Sequence, residues 1–190
     1  MRIGLLGGSF NPAHEAHRAL SLLAWKRLGL DRVWWLVSPG NPLKENSAMP
    51  PVEERIAQAR EAASSPYIDV AAPEIAYRTR YTFDTLLRLT AEHRGTRFVW
   101  LMGADNLAQF HRWKRWQEIA KLMPIAVIER PGDEDAPLSS KAAHALARYR
   151  VDESDAALLM SMRPPAWIYL HGLKSPLSST SLRLKKRRQA

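Results

Sequence analysis

Apolar positions along the chain form short runs that alternate with stretches of helical spacing. The first run is RIGLLG, which predicts a short buried strand. A helix face follows, with apolar residues three or four positions apart: Ala16, Leu20, Leu23, Ala24 and Leu28. Gly29 is expected to end this helix. The next run, from Val33 to Val37, is continuously apolar, as in a strand covered on both faces.

The same alternation continues along the rest of the chain. Further strands are predicted at IDVAA, TRFVWLMG, PIAVIER and AWIYLHG, and further helices at residues 52–64, 81–93 and 139–149. Two short helices are expected between residues 105 and 122, and a last one is expected to begin at SSTSLR. Strands that alternate with helices favour a Rossmann-like α/β fold, with a doubly wound parallel sheet and helices on both faces.

Neither an internal repeat nor a domain boundary interrupts this pattern. Residues 1–190 are therefore predicted to form a single domain, with residues 132–165 as its least regular part. The sequence has no cysteine, which excludes disulfides, thiolate zinc sites and a cysteine nucleophile. It also lacks an apolar run of about 18 residues, the length that a membrane span needs. The opening RIGLLGG is too short for a signal peptide, so a cytoplasmic protein is expected.

The formal net charge is +9, which suggests an anionic partner. Four of these charges are near the end of the sequence, at Lys185, Lys186, Arg187 and Arg188, where a solvated and frayed tail is the simpler interpretation. Nucleic acid, a membrane surface and a phosphorylated small molecule all satisfy such a charge. The remaining basic residues are scattered and no RNA-recognition motif is present, so a nucleic-acid-binding module is kept only as an alternative function.

The stretch GGSFNPAHEAH directly follows the first predicted strand. In open parallel sheets, ligands bind beyond the carboxyl ends of the strands, where this stretch is expected to lie. Glycines allow backbone amides to approach a phosphate, and the start of a helix adds positive partial charge. The glycine spacing does not match G-x-G-x-x-G, and no G-K-[ST] follows. The stretch is therefore predicted to be a different kind of phosphate-binding loop.

His14 and His17 are three residues apart, which places both on one side of the first helical turn. HEAH is one residue short of the zinc-binding H-E-x-x-H, and a third ligand is not evident, so no metal is assigned to the protein. Capping and packing histidines are a second interpretation. Two donors directed at phosphate oxygens account best for the spacing.

These segments resemble known motifs. GGSFNPAHEAH resembles the G-x-F-x-P-x-H-x-G-H signature of the nucleotidylyltransferase superfamily, with Ala16 in place of the second glycine, and SSTSLR resembles its C-terminal S-S-T-x-[IL]-R. RYTFDTL, GADNLAQFHRW and the loop SPGNPLK are similar to segments of bacterial nicotinate-nucleotide adenylyltransferases. The resemblance extends from Met1 to about Arg183 and implies the nucleotidylyltransferase type of the fold.

The resemblance implies an enzyme that transfers AMP from ATP to nicotinate mononucleotide, giving deamido-NAD and pyrophosphate, with Mg²⁺ on the ATP. The same chemistry on nicotinamide mononucleotide or phosphopantetheine is the nearest alternative. A catalytically weak relative is another, because a methyl group at Ala16 could crowd a phosphate.

The resemblance also implies the roles of individual residues. His14 and His17 are expected to be catalytic, as donors to the ATP phosphates. ATP and its phosphates are expected to contact Gly7, Gly8, Ser9, Phe10, Lys44, Ser179, Thr180 and Arg183. Nicotinate mononucleotide is expected to contact Thr82, Asp105, Trp113 and Arg130. Among these, Trp113 would stack on the pyridine ring and Asp105 would bind ribose hydroxyls or metal-bound water.

Overall fold

The structure, a computed structural model, describes residues 1–40, 49–129 and 136–172. This part of the chain contains seven strands: β1 (Arg2–Gly8), β2 (Arg32–Val37), β3 (Ile68–Ala71), β4 (Arg97–Gly103), β5 (Ile125–Ile128), β6 (Arg150–Val151) and β7 (Trp167–Leu170). They form one sheet in the order β3-β2-β1-β4-β5-β7-β6, and every pair is parallel.

The same residues form seven α-helices: α1 (Glu15–Leu28), α2 (Val52–Ala63), α3 (Pro73–Tyr77), α4 (Thr82–Glu92), α5 (Ala104–Gln109), α6 (Trp116–Leu122) and α7 (Lys141–Ala145). Short 3₁₀ segments connect several of them, and the longest covers Glu153–Ser161. Gly29 ends α1 in the left-handed conformation, with φ 60°, as its position after the last apolar residue predicts. None of the described helices is long and apolar enough to cross a bilayer.

Side chains of the central strands alternate between two cores, one on each face of the sheet. On β4, Phe98, Trp100 and Met102 join α4, α5 and α6 in one core. Val99 and Leu101, from the same strand, join α1 and α2 in the other. Because a strand presents successive side chains to opposite faces, a strand buried on both faces must be apolar along its buried length, as β4 is from Phe98 to Gly103.

The strand order reverses its direction between β1 and β4, which are neighbours in the middle of the sheet. The chain passes from β1 through β2 to β3 on one side, and from β4 through β5 to β6 and back to β7, which lies between β5 and β6, on the other. The loops that leave β1 and β4 therefore separate at their carboxyl ends. Such a switch point is where open parallel sheets bind ligands.

The predicted Rossmann-like α/β sheet with helices on both faces is confirmed, and the larger elements lie where the pattern places them. The helix predicted at residues 139–149 is instead broken into 3₁₀ turns around α7. Helix α3 and strand β6 were not predicted, because five and two residues are too few to show a periodicity. The single domain stays a prediction.

Candidate active site

Helix α1 begins at the switch point, directly after the loop that follows β1. His14 is its N-cap, with extended backbone at φ −155° and ψ 171°, so the helix starts at Glu15 rather than at residue 13. His14 is buried, whereas His17 is half-buried. Their ring centroids are 4.0 Å apart. The structure thus brings the two predicted catalytic imidazoles together at the positive end of a helix dipole.

His17 is oriented by the backbone of His14. The N–H of His14 donates to Nδ1 of His17 at 3.3 Å, which is one half of a capping box. Since Nδ1 accepts this bond, the proton of a neutral His17 ring lies on Nε2. His17 therefore presents an N–H donor from its other nitrogen, which is what a phosphate oxygen requires.

The ring of Phe10 packs against the ring of His17. Phe10 is buried and stacks on Trp35, with centroids 5.0 Å apart, and its centroid is 4.9 Å from that of His17. Its backbone has φ 46°, a left-handed conformation that is costly for a residue with a side chain. Trp35 in turn donates to Ser21, and Ser21 donates to the carbonyl of His17, both at 2.8 Å. These contacts hold the loop and the first turn of α1 as one packed unit.

The two glycines of the motif, Gly7 and Gly8, differ in how much space a side chain would have. A Cβ on Gly7 would lie 2.4 Å from Cη2 of Trp100, so the indole of the neighbouring strand requires glycine there. A Cβ on Gly8 would meet only ordinary contacts with the Phe10 ring. The family glycine that Ala16 replaces is a third case, because Ala16 is 2% exposed. Its methyl group lies within the protein rather than on the open side of the loop.

The two segments with predicted acceptor contacts lie side by side. Thr82 is the first residue of α4 and Tyr81 is its N-cap. From the segment that follows Trp113, the ammonium nitrogen of Lys114 lies 4.1 Å from the centroid of the Tyr81 ring. The guanidinium carbon of Arg115 lies 3.8 Å from the centroid of the Phe83 ring. The start of α4 and the turn before α6 thus form one basic and aromatic surface, on which Arg115 also pairs with Asp84 and Glu118.

Trp113 packs at the border of the core rather than inside it. It is half-buried, and it meets Trp100 and Phe110 in edge-to-face contacts with centroids 6.1 and 5.4 Å apart. Trp100 also touches Gly7, so it joins the phosphate motif to the acceptor segment. Trp113 has the partial exposure that stacking on a ligand requires, together with the packing of a structural residue.

Two carboxylates lie just beyond the carboxyl ends of separate strands at this edge of the sheet. Asp105 is exposed, in the first turn of α5 directly after β4. Glu74 lies in the first turn of α3, just beyond the end of β3. Burial raises the pKa of Glu74 to about 7. Sequence reasoning did not identify Glu74, because nothing in PEIAY distinguishes it from an ordinary surface glutamate.

The sequence also did not predict that Arg55 is a buried cation. Arg55, on α2, is 1% exposed, and its guanidinium donates to four backbone carbonyls. Burial lowers the pKa of this group and Glu53 raises it, but a guanidinium stays charged at neutral pH. Arg55 lies on the same face of α2 as Ala59 and Ala63, but two alanines do not mark an inner helix face strongly enough to show from the sequence that the arginine is buried.

The cytidylyltransferase-like family model matches residues 5–185. The match includes both ends of the sheet and the loop with the paired histidines. The chain belongs to the cytidylyltransferase-like family. Its predicted recognition as a nucleotidylyltransferase is thereby confirmed.

Relatives within the cytidylyltransferase-like family match along nearly their whole length. The chain is 59% identical to the probable nicotinate-nucleotide adenylyltransferase of Bradyrhizobium sp. (strain ORS 278), over 96% of this chain and 95% of that protein. It is 53% identical to a protein of the same name from Methylorubrum extorquens, over 97% of this chain and 100% of that protein.

The fold of this cytidylyltransferase-like chain has solved counterparts. The structures of Plasmodium falciparum nicotinic acid mononucleotide adenylyltransferase complexed with APC and with NaAD give TM-scores of 0.68 and 0.67. The sequence identities are 16% and 18%, and each comparison covers 96% of this chain and 82% of the other. At this identity the likeness shows the fold, and it confirms the predicted nucleotidylyltransferase type.

Several predicted site residues lie outside the described part of the chain: Lys44, Arg130, Ser179, Thr180 and Arg183. Their roles stay predictions. The described residues bring together Gly7, Gly8, Ser9, Phe10, His14 and His17 around the start of α1. They place Thr82 and Trp113 on the adjoining basic and aromatic surface. Within residues 1–40, 49–129 and 136–172, no group of three His, Asp or Glu side chains is arranged to hold a metal ion.

Proposed function

We propose that the protein transfers AMP from ATP to nicotinate mononucleotide, giving deamido-NAD and pyrophosphate. One observation carries the proposal: relatives at 49–59% identity, matched along nearly their full length, are named as probable nicotinate-nucleotide adenylyltransferases. The paired imidazoles at a switch point supply a geometry suited to that chemistry.

The reaction joins a phosphate oxygen of the acceptor to the α-phosphorus of ATP. As that bond forms, the bond from the α-phosphorus to the oxygen bridging to the β-phosphorus breaks, and its electron pair leaves with pyrophosphate. The attacking oxygen is already anionic, so no base has to remove a proton. Catalysis then consists of positioning and of stabilising negative charge.

The protein supplies donors for that charge at the start of α1. We assign to His17 a hydrogen bond from Nε2 to an ATP phosphate oxygen, with Nδ1 held by the backbone of His14. His14, buried beside it, supports the same phosphate site at the N-cap. Donors fixed in this way need no reorganisation when charge develops at the α-phosphorus.

The surface around Thr82 favours the acid over the amide as acceptor. Nicotinate carries one negative charge more than nicotinamide, and Lys114 places its ammonium next to the N-cap of α4. The N-terminus of this 11-residue helix adds positive partial charge. Both contributions stabilise a bound carboxylate more than a neutral amide.

Mg²⁺ is proposed to enter with ATP. Triphosphate oxygens and water are the hard ligands that this ion prefers, so it needs few protein ligands. Asp105, exposed at the end of β4, is the carboxylate assigned to ribose hydroxyls or to metal-bound water. Removal of the ion by a chelator should abolish turnover, and added Mg²⁺ should restore it.

Pyrophosphate release from Mg²⁺–ATP tests the proposal. Parallel assays would use nicotinate mononucleotide, nicotinamide mononucleotide and phosphopantetheine as acceptors at equal concentrations. The expected result is the highest kcat/KM with nicotinate mononucleotide and formation of deamido-NAD in equal amount to pyrophosphate. A higher kcat/KM with either other acceptor would overturn the assignment of the substrate.

A further inference from the structure

Arg55 is a charged side chain enclosed by protein. It lies on α2, near its N-terminus, and is 1% exposed. Burial of a charge is costly unless hydrogen bonds replace the lost water. The guanidinium has five N–H donors in a rigid fork, and its bonds to four carbonyls use that fork almost completely.

The four carbonyls belong to three separate segments of the chain. Nη1 donates to Ser9 at 2.5 Å, in the loop after β1, and to Ser38 at 2.7 Å, after β2. Nη2 donates to Pro39 at 3.0 Å, and Nε donates to Pro50, just before α2, at 3.1 Å. One side chain thus ties the loops at the carboxyl ends of two adjacent strands to the start of a helix.

The bond to Ser9 sets the direction of the next peptide N–H. A trans peptide is planar, so its C=O and N–H point in opposite directions. Because the carbonyl of Ser9 points to Arg55, the N–H of Phe10 points away from Arg55. The carbonyl of Gly8 is also occupied, by the N–H of Ser38 at 2.9 Å. The Gly8–Ser9 and Ser9–Phe10 peptides are therefore both held with their carbonyls toward the protein.

We propose that Arg55 is a positioning residue for the phosphate-binding loop, holding the Ser9 carbonyl so that the N–H of Phe10 stays directed at an ATP phosphate. This inference rests on the proposed function of the loop. Phe10 has a strained backbone and carries the ring beneath His17, so the loop needs an external hold to keep this conformation.

The charge of Arg55 adds to this positioning. Its described hydrogen-bond partners are neutral carbonyls, which satisfy the donors without cancelling the charge, and Glu53 on the same helix offsets only part of it. A positive charge in contact with the loop favours an anion on the other side of the same peptide. Lysine is a compact point charge with three donors and does not reproduce the planar fork, so Arg55→Lys keeps the charge and loses the geometry.

The test compares Arg55→Lys, Arg55→Met and a matched control, Arg27→Met. Arg27 also bonds a backbone carbonyl, that of Glu153 at 3.3 Å, and pairs with the Glu153 carboxylate at 3.0 Å, but it lies at the opposite end of α1 from the motif. Each variant is examined by thermal melting, by equilibrium binding of Mg²⁺–ATP without acceptor, and by kcat and both KM values.

The expected result is that Arg55→Lys melts cooperatively and binds ATP about tenfold or more weakly, the effect of losing a charged hydrogen bond. Its kcat should also fall, while the KM for nicotinate mononucleotide changes less than the affinity for ATP. Arg55→Met should be affected more strongly, and Arg27→Met should retain the ATP affinity of the unmodified protein.

Two results would overturn the proposal. One is an Arg55→Lys variant whose ATP affinity and kcat stay within about twofold of the unmodified protein. That change is smaller than the loss of one hydrogen bond would cause. The other is loss of cooperative melting in both Arg55 variants, which would make Arg55 a residue that holds the whole fold. ATP binding without acceptor separates this test from the proposed function, because it does not depend on which acceptor the enzyme uses.

Discussion

At the scale of single residues, His17 is constrained from two directions. Its Nδ1 accepts from the backbone of His14, and its ring rests on Phe10 and Trp35. This arrangement fixes both the tautomer and the plane of the ring before any ligand binds. A donor held in this way acts on the transition state without a reorganisation cost.

His17→Ala should therefore keep the fold and lose rate. Removal of one preorganised donor to developing charge typically costs on the order of 10²–10³ in kcat. Steady-state kinetics and a thermal melt measure the two effects, with His144→Ala, an exposed histidine on α7, as the control. Near-normal turnover of His17→Ala would contradict the catalytic assignment.

Trp113 combines a packing role with an exposed face, so its substitution should have two effects. Trp113→Ala should raise the KM for nicotinate mononucleotide by about 5–150-fold, the equivalent of losing ~1–3 kcal/mol of stacking, and leave the KM for ATP little changed. It should also lower the melting temperature. Trp113→Phe should recover part of the affinity.

Trp116 offers a matched control for that experiment. It is also half-buried, packs on the same core and meets Phe110 edge-to-face, with centroids 5.6 Å apart. Trp116→Ala should lose stability without a selective change in the KM for the acceptor. Equal losses for both substrates in Trp113→Ala would instead leave Trp113 as a packing residue.

At the scale of elements, β1 depends on its neighbour β4. Gly7→Ala places a methyl group where the tip of the Trp100 indole lies, and overpacking of this kind costs about 1–3 kcal/mol of unfolding free energy. Trp100→Phe removes that tip, and no hydrogen-bond partner is found for the Trp100 N–H among the described residues. The double variant should therefore be more stable than the sum of the two single changes predicts.

Urea unfolding of the four proteins in this cycle measures the coupling between Gly7 and Trp100. A double variant that is less destabilised than the sum of the single changes supports steric contact as the reason for glycine at this position. Additive losses would contradict it and would favour the interpretation in which Gly7 is needed for a phosphate to approach the backbone.

At the scale of the whole molecule, the stability of the fold should depend on pH through Glu74. Its folded pKa of about 7 is above the ordinary value of 4.5, so the folded chain binds this proton more tightly than the unfolded chain does. The contribution is fully present below pH 4.5 and is lost as the pH rises through 7. It amounts to at most about 3 kcal/mol, and to less because Glu74 keeps some contact with solvent.

Glu74→Gln removes this titration. The unmodified protein should lose more unfolding free energy between pH 5 and pH 8 than the variant does, and denaturant unfolding at the two pH values measures the difference. Glu61→Gln, at an exposed position on α2, is the control and should follow the unmodified protein. Parallel behaviour of Glu74→Gln and the unmodified protein would contradict the burial of a protonated carboxyl group at this site.

The sequence alone determined the class of fold, most strand and helix positions, and the loop with the paired histidines. These features can be predicted from short stretches of sequence, because the spacing of apolar residues indicates which positions are buried. The motif residues are also close together in the chain. It did not predict α3 or β6, which are too short to show a period. Capping by His14 was only the second interpretation of the paired histidines, whereas in the structure His14 does cap α1.

Only the tertiary structure decided which side chains meet across the sheet. Arg55 bonds a carbonyl 46 positions away, and Trp100 contacts Gly7 from a neighbouring strand. A short stretch of sequence does not predict the strand order or the register that creates these contacts. The apolar pattern predicts that a residue is buried, but it does not predict which residues pack against it. The need for a charged side chain at Arg55 and for glycine at position 7 is therefore explained only by the packing of β1, β2, β4 and α2 against one another.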